Sequence, residues 1–206
     1  MNKPDSMRIP PITHDQWTDE VRDILSAFSE TFGRLGLGGD ESEKDNLSPV
    51  LSCVLQHPAL ARVFFPFARY LLMETTLDNR VHELIVLRVS WLWRSEYEWA
   101  QHSMMAVNNG VFSQADIERI TQGVNAGPWS EQETHLLSAI DQLRESTRID
   151  NQLWDALAGH FDRKQLIDII FLIGGYILVG MYLNTFGVPL KDGMKGFDQQ
   201  STGGQE

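Results

Sequence analysis

The stretch RVHELIVLRVSWLWRSEYEWAQH, residues 80–102, decides how this chain is to be read. Its first part sets Val81, Leu84, Ile85, Val86, Leu87 and Val89 around every side of a helical axis and ends on Trp91, Leu92 and Trp93, the pattern of a helix buried on all faces. Asp78 stands where the N-cap of that helix is expected. Within this apolar helix lies a single carboxylate, Glu83. Burying an ionised carboxylate without a partner is costly, so Glu83 must be paired, hydrogen-bonded or neutral. Arg80, three residues earlier, is a candidate helical neighbour. The second part, Ser95-Glu96-Tyr97-Glu98, has the S-x-x-E spacing of a capping box and opens a helix over Trp99 to Asn108. Glu98 and His102, four residues apart, share one face of it. A carboxylate there stabilises imidazolium and raises the pKa of His102, which suits a general acid or base. Tyr97 lies in the same first turn, at a different bearing.

Outward from this core the pattern stays helical. Thr13 or Asp15 is expected to cap a helix through Trp17, Val21, Ile24, Leu25 and Phe28. Ser48-Pro49 opens a second helix, and His57-Pro58 a third, proline being well placed in a first turn. Gly110 marks a helix stop, Ser113 starts the next helix, and Ser130-x-x-Glu133 is a second capping box. Asp150 to His160 and Arg163 to Phe186 complete the series. No alternation of period two persists, so the expectation is an all-α, single-domain bundle of about eight helices. The domain spans residues 16–190, with an N-terminal arm at 1–15, a flexible glycine-rich loop at 33–46 and a disordered tail at 191–206. The loop glycines lack the preceding strand and the Gly-Lys-Ser/Thr closure of a phosphate loop.

The formal net charge of -11 argues against nucleic acid or an anionic membrane as partner, since both attract basic patches. The lone cysteine, Cys53, can form neither an internal disulfide nor a redox pair, and reads as a small buried residue between Val50 and Val54. Met1 to Pro11 has no apolar core of a signal peptide, so a cytoplasmic location is expected. Ile169 to Leu190 is uncharged but carries Gly174, Gly175, Gly180, Asn184 and Pro189, with no basic flank. It reads as a helix buried in the core or a subunit interface rather than as a membrane span.

Arg80-x-x-Glu83, then Ser95-x-Tyr97-Glu98-x-x-x-His102 and Asn109-Gly110, resembles the active-site segment of the carboxymuconolactone decarboxylase / alkylhydroperoxidase-D-like family. His57-Pro58-x-Leu60-Ala61 upstream and Gly175-Tyr176 through Asn184-x-x-Gly187-Val188-Pro189 downstream are similar too, in the same order. In the redox branch of that family a CxxC pair holds the positions of Ser95 and Glu98. A serine and a carboxylate cannot perform thiolate chemistry, so peroxidase activity is disfavoured. The resemblance implies a cofactor-independent lyase acting on a small oxygenated carboxylic acid or lactone, assembled as a homo-oligomer (dimer, trimer or hexamer). Its catalytic residues would be Glu83, Glu98, His102 and Tyr97. His102 would protonate carbon, Glu98 would hold its tautomer, Tyr97 would bond a developing enolate oxygen, and Glu83 would be kept partly protonated by its apolar helix. Two alternatives stay open: a non-catalytic oligomeric or binding protein of the same fold, and a dehydratase, isomerase or lactone hydrolase using the same pocket. Glu83, Glu98 and His102 offer three N/O ligands, but not at the Glu-x-x-His spacing of di-iron bundles, and no metal is expected. His14, His57, His82, His135 and His160 show no mutual spacing and read as surface or packing residues, with His82 facing away from Glu83.

Overall fold

The computed structural model describes residues 6–34 and 47–197, and among these it contains nine α-helices and no strand. The all-α expectation is met. The helices fall into two compact units: Met1–Glu74 with Thr185–Val188, and Thr75–Asn184 with Pro189–Glu206.

The first unit carries α1 (Asp19–Arg34), α2 (Pro49–Leu55) and α3 (Pro58–Met73). The first helix begins later than the sequence predicts. Thr13 caps only a short 3-10 turn at His14–Gln16, and Thr18 Oγ1 then accepts the Val21 amide at 3.3 Å to start α1. Thr18 competes successfully because its short side chain offers the orphan amides of the first turn an acceptor. Ser48-Pro49 and His57-Pro58 open α2 and α3 as expected, with His57 Nδ1 accepting the Leu60 amide. The N-terminal arm is tied down by backbone: Arg8 N–H donates to Phe186 O at 2.8 Å, and the Cys53 thiol donates to Ile9 O at 3.3 Å. Cys53 is buried, as read from the sequence. The expected flexible loop lies, from residue 35 to 46, outside the described residues.

The second unit contains α4 (Asn79–Leu92), α5 (Glu96–Asn108), α6 (Gln114–Gln122), α7 (Glu131–Ser146), α8 (Asn151–Ala158) and α9 (Arg163–Phe186, which continues into the first unit). Helix α4 is central. It packs against α5, α6 and α7, and every residue from Val81 to Ser90 is buried. The charged side chain of Arg88 is accommodated there by Asp141, whose carboxylate accepts two bonds at 2.9 and 3.0 Å, and by the carbonyls of Ile120 and Thr121. Gly123 makes room for this guanidinium. Its φ of 82° is open to glycine, and a Cβ there would lie 2.6 Å from Arg88 Nη2.

Asp78 caps α4 through the Val81 amide at 2.9 Å, and Ser130 and Glu133 form the expected capping box on α7. Gly110, at φ 67°, follows α5 as the predicted stop. Of the tail predicted to be disordered, Lys191 to Phe197 carry definite contacts: Phe197 stacks on Trp99 and meets Trp91 edge-on. Residues 198–206 lie outside the described residues.

Candidate active site

Two residues, Trp93 and Arg94, separate the helical stretch ending at Leu92 from Ser95, with Arg94 in the left-handed region at φ 57°. This tight corner folds α5 back against α4, as in an αα-hairpin. Glu83 lies about two and a half turns before the corner and His102 about two turns after it, so the two meet across the helix pair. Ser95 does not cap α5 as the S-x-x-E spacing predicts: its side chain makes no cap hydrogen bond. The hydroxyl is instead pressed toward α9, where a Cβ on Gly180 would stand 2.7 Å from Ser95 Oγ. Glu98, released from that duty, turns to His102.

The buried imidazole of His102 is therefore held on both nitrogens. Nδ1 lies 2.9 Å from Glu83 Oε2, while Nε2 lies 3.1 Å from the Tyr176 hydroxyl and 3.5 Å from Glu98 Oε2. Glu83, Glu98, His102 and Tyr176 are all buried. His82 joins the group. Its Nδ1 lies 3.6 Å from Glu83 Oε1 and its ring sits 6.3 Å from that of Tyr176. The expectation that it faces away from Glu83 fails, because two long side chains on adjacent helical positions can still bring their ends together. Arg80 is not the partner of Glu83 either. It donates to Glu133 at 2.7 Å and to Val111 O at 2.9 Å.

The protonation states follow from the geometry. Burial alone would push the Glu83 carboxyl up. The opposing charge of His102 and the hydrogen bonds from His102 and His82 outweigh it and bring the pKa down to about 2. Burial alone would likewise pull His102 down, but the charges and hydrogen bonds of Glu83 and Glu98 raise it to about 10. Glu83 is thus an ionised counter-ion, not the partly protonated acid expected from its apolar helix. The phenol of Tyr176 is driven well above its ordinary value by burial and by the Glu98 and Glu83 charges. At neutral pH the core of the site is carboxylate–imidazolium–phenol. Both imidazolium nitrogens donate, Nδ1–H to Glu83 and Nε2–H toward the Tyr176 oxygen.

Of the four residues predicted from sequence, Glu83, Glu98 and His102 come together. Tyr97 is buried in α5, and the phenol hydrogen-bonded to His102 is that of Tyr176. Tyr176 had one legible signal: a hydroxyl inside the uncharged stretch from Ile169 to Leu190 has to find a partner when buried. A surface cavity of about 600 Å³ opens beside Glu96 and residues 190–196; its lining contains none of the His102 cluster.

Residues 58–142 match the carboxymuconolactone decarboxylase family. The resemblance read from the sequence is borne out over that segment, which spans α3 to α7 and carries Glu83, Glu98 and His102. The fold agrees. A peroxidase-related protein of Ralstonia eutropha, described as an alkylhydroperoxidase AhpD core, is 17% identical with a TM-score of 0.70, covering 90% of this chain and 93% of that one. A peroxidase-related protein of Silicibacter sp. is 13% identical with a TM-score of 0.69, covering 97% and 98%. The debrominase Bmp8 in complex with 2,3,4-tribromopyrrole is 12% identical with a TM-score of 0.69, covering 93% and 95%. No curated protein matches the chain. The single cysteine of this family segment's host chain, Cys53, sits in the first unit, and burial raises its thiol to about 11, far from a reactive thiolate.

Proposed function

We propose that the chain is a cofactor-independent lyase of the carboxymuconolactone decarboxylase type, acting on a small oxygenated carboxylic acid or lactone. The observation that carries this reading is the buried Glu83–His102 pair, completed by Glu98 and Tyr176. Loss of carbon dioxide leaves an electron pair that moves into an adjacent carbonyl as an enolate, whose carbon then takes up a proton. His102, protonated throughout the neutral range, is the donor of that proton through Nε2, the nitrogen not held by Glu83. Tyr176 orients Nε2 and bonds the developing oxyanion, and Glu83 fixes the ring through Nδ1. Tyr97, two residues from Ser95 and beside Glu98, lines the same end of α5. The fold accommodates other chemistry, as a debrominase of similar structure illustrates.

A homo-oligomer is part of the same proposal. Helix α9 exposes Ile167, Ile170, Phe171, Leu178 and Met181, a row of large apolar side chains at helical spacing. The helix is also long and apolar enough to cross a membrane, and half of its most apolar window is buried in the protein. A second copy covering the exposed row is the arrangement we favour.

The test is release of carbon dioxide from a panel of small lactones and carboxylic acids, with ring opening and dehydration monitored in parallel. Decarboxylation of one substrate class, lost about 10²–10⁴-fold in His102→Ala, is expected. Turnover without carbon dioxide, or wild-type turnover in His102→Ala, would overturn the assignment.

A further inference from the structure

The sequence offers no spacing that links His135 and His160, yet the fold brings them side by side. Their ring centroids lie 5.3 Å apart at an interplanar angle of 43°. Glu131, one helical turn before His135 on α7, completes a triangle in which one ligand atom from each residue lies within 4.8 Å of the other two. We propose that Glu131, His135 and His160 bind one divalent transition-metal ion of the zinc type, at a site separate from the His102 cluster.

Three observations converge on it. The donor set is two imidazoles and one carboxylate, a combination that suits zinc and its neighbours and does not suit magnesium or calcium, which prefer oxygen alone. Second, His135 Nδ1 is buried and has no hydrogen-bond partner, which leaves a polar nitrogen unsatisfied in a place where such groups are nearly always paired. A metal-bound imidazole ordinarily has both nitrogens engaged, one by the ion and one by a neighbour. Third, the frame is rigid where it has to be. Glu131 and His135 are fixed by the capped start of α7, and the His160 amide is held by Leu157 O at 2.9 Å, next to the buried Phe161. Ligand atoms around tetrahedral zinc lie about 3.3 Å apart for bonds of about 2.05 Å. Closing from 4.8 Å therefore takes small side-chain rotations, which the exposure of Glu131 and His160 allows. A water would complete the fourth coordination position. Bound there, the ion would tie the start of α7 to the corner between α8 and α9.

The full-length chain, freed of metal by chelation, is titrated with zinc alone by calorimetry and thermal melting, with cobalt as a visible-absorption probe. One zinc per chain is expected, with a rise in Tm of about 5–10 °C at a hundredfold excess over Kd and a cobalt spectrum of low coordination number. His160→Ala and Glu131→Gln, both at exposed positions, should each weaken zinc at least tenfold and abolish the Tm rise, with the circular-dichroism spectrum unchanged. Glu98→Gln, which alters the other nitrogen–oxygen cluster, should bind zinc as the wild type does. No stoichiometric zinc, a loss of less than tenfold in His160→Ala, or a loss in Glu98→Gln alone overturns the proposal.

Discussion

Two carboxylates and a phenol surround His102, and its charge state is the first thing to measure. An NMR titration of the imidazole should show it holding its proton to about 10 in the wild type, with the midpoint falling in Glu83→Gln as the nearer counter-charge is removed. The same variant should lose about 3 kcal/mol of stability in urea denaturation at neutral pH, the lower end for breaking a buried pair, because His102 keeps Glu98. The pH dependence has a definite sign. The Glu83 pKa is depressed from 4.5 to about 2, so its contribution is present above 4.5 and is lost as pH falls toward 2. The His102 pKa is raised from 6.5 to about 10, so its contribution is complete below 6.5 and is lost as pH rises toward 10. Stability from this pair should therefore be flat between those two ordinary values and decline on either side. The difference in urea midpoint between wild type and a Glu83→Gln/His102→Asn double variant, followed across pH, reads this directly. A difference that grew above 6.5 would sink the assignment.

At the scale of elements, α4 is held by more than its apolar side chains. Arg88 is buried and bonded to Asp141 and to two carbonyls at the end of α6, so the central helix is locked to α6 and α7 by one guanidinium. Gly123→Ala both forces a side chain into a glycine conformation and drives a Cβ onto that guanidinium. A loss of about 1–3 kcal/mol is expected in urea denaturation, with Asp141→Ala at least as damaging because it leaves the cation unpaired. Capping shows how far local rules reach. At Ser130 and Ser113 the S-x-x-acid spacing gives a true capping box, because each acid turns one oxygen back to the helix start while the other takes an arginine. At Ser95 the same spacing gives none. Ser95 is packed against Gly180 of α9 with its hydroxyl off the helix start, and Glu98 lies toward His102. Gly180→Ala should consequently destabilise by about 1–3 kcal/mol, the cost of overpacking, a range that a thermal melt resolves.

At the scale of the whole molecule, the apolar row on α9 makes a prediction of its own. Phe171→Glu combined with Met181→Lys should reduce the mass measured by light scattering to that of a single chain and leave the helical spectrum intact. A wild type that is already monomeric would remove the homo-oligomer from the proposal. The sequence by itself determined the helical class, most helix starts, and the carboxylate and imidazole of the site. These are written in local spacing: caps at fixed offsets, apolar residues at 3.6-residue intervals, Glu98 four residues before His102. Only the tertiary structure decided which partner each charge takes. It paired His102 with Glu83 rather than with Glu98 first, and gave Arg80 to Glu133. It also supplied Tyr176 from 74 residues away and set His135 beside His160. The reason is physical. A side chain's partner is fixed by the crossing of helices distant in sequence, and whether a buried carboxylate is neutral or ionised depends on the charge that those crossings place beside it.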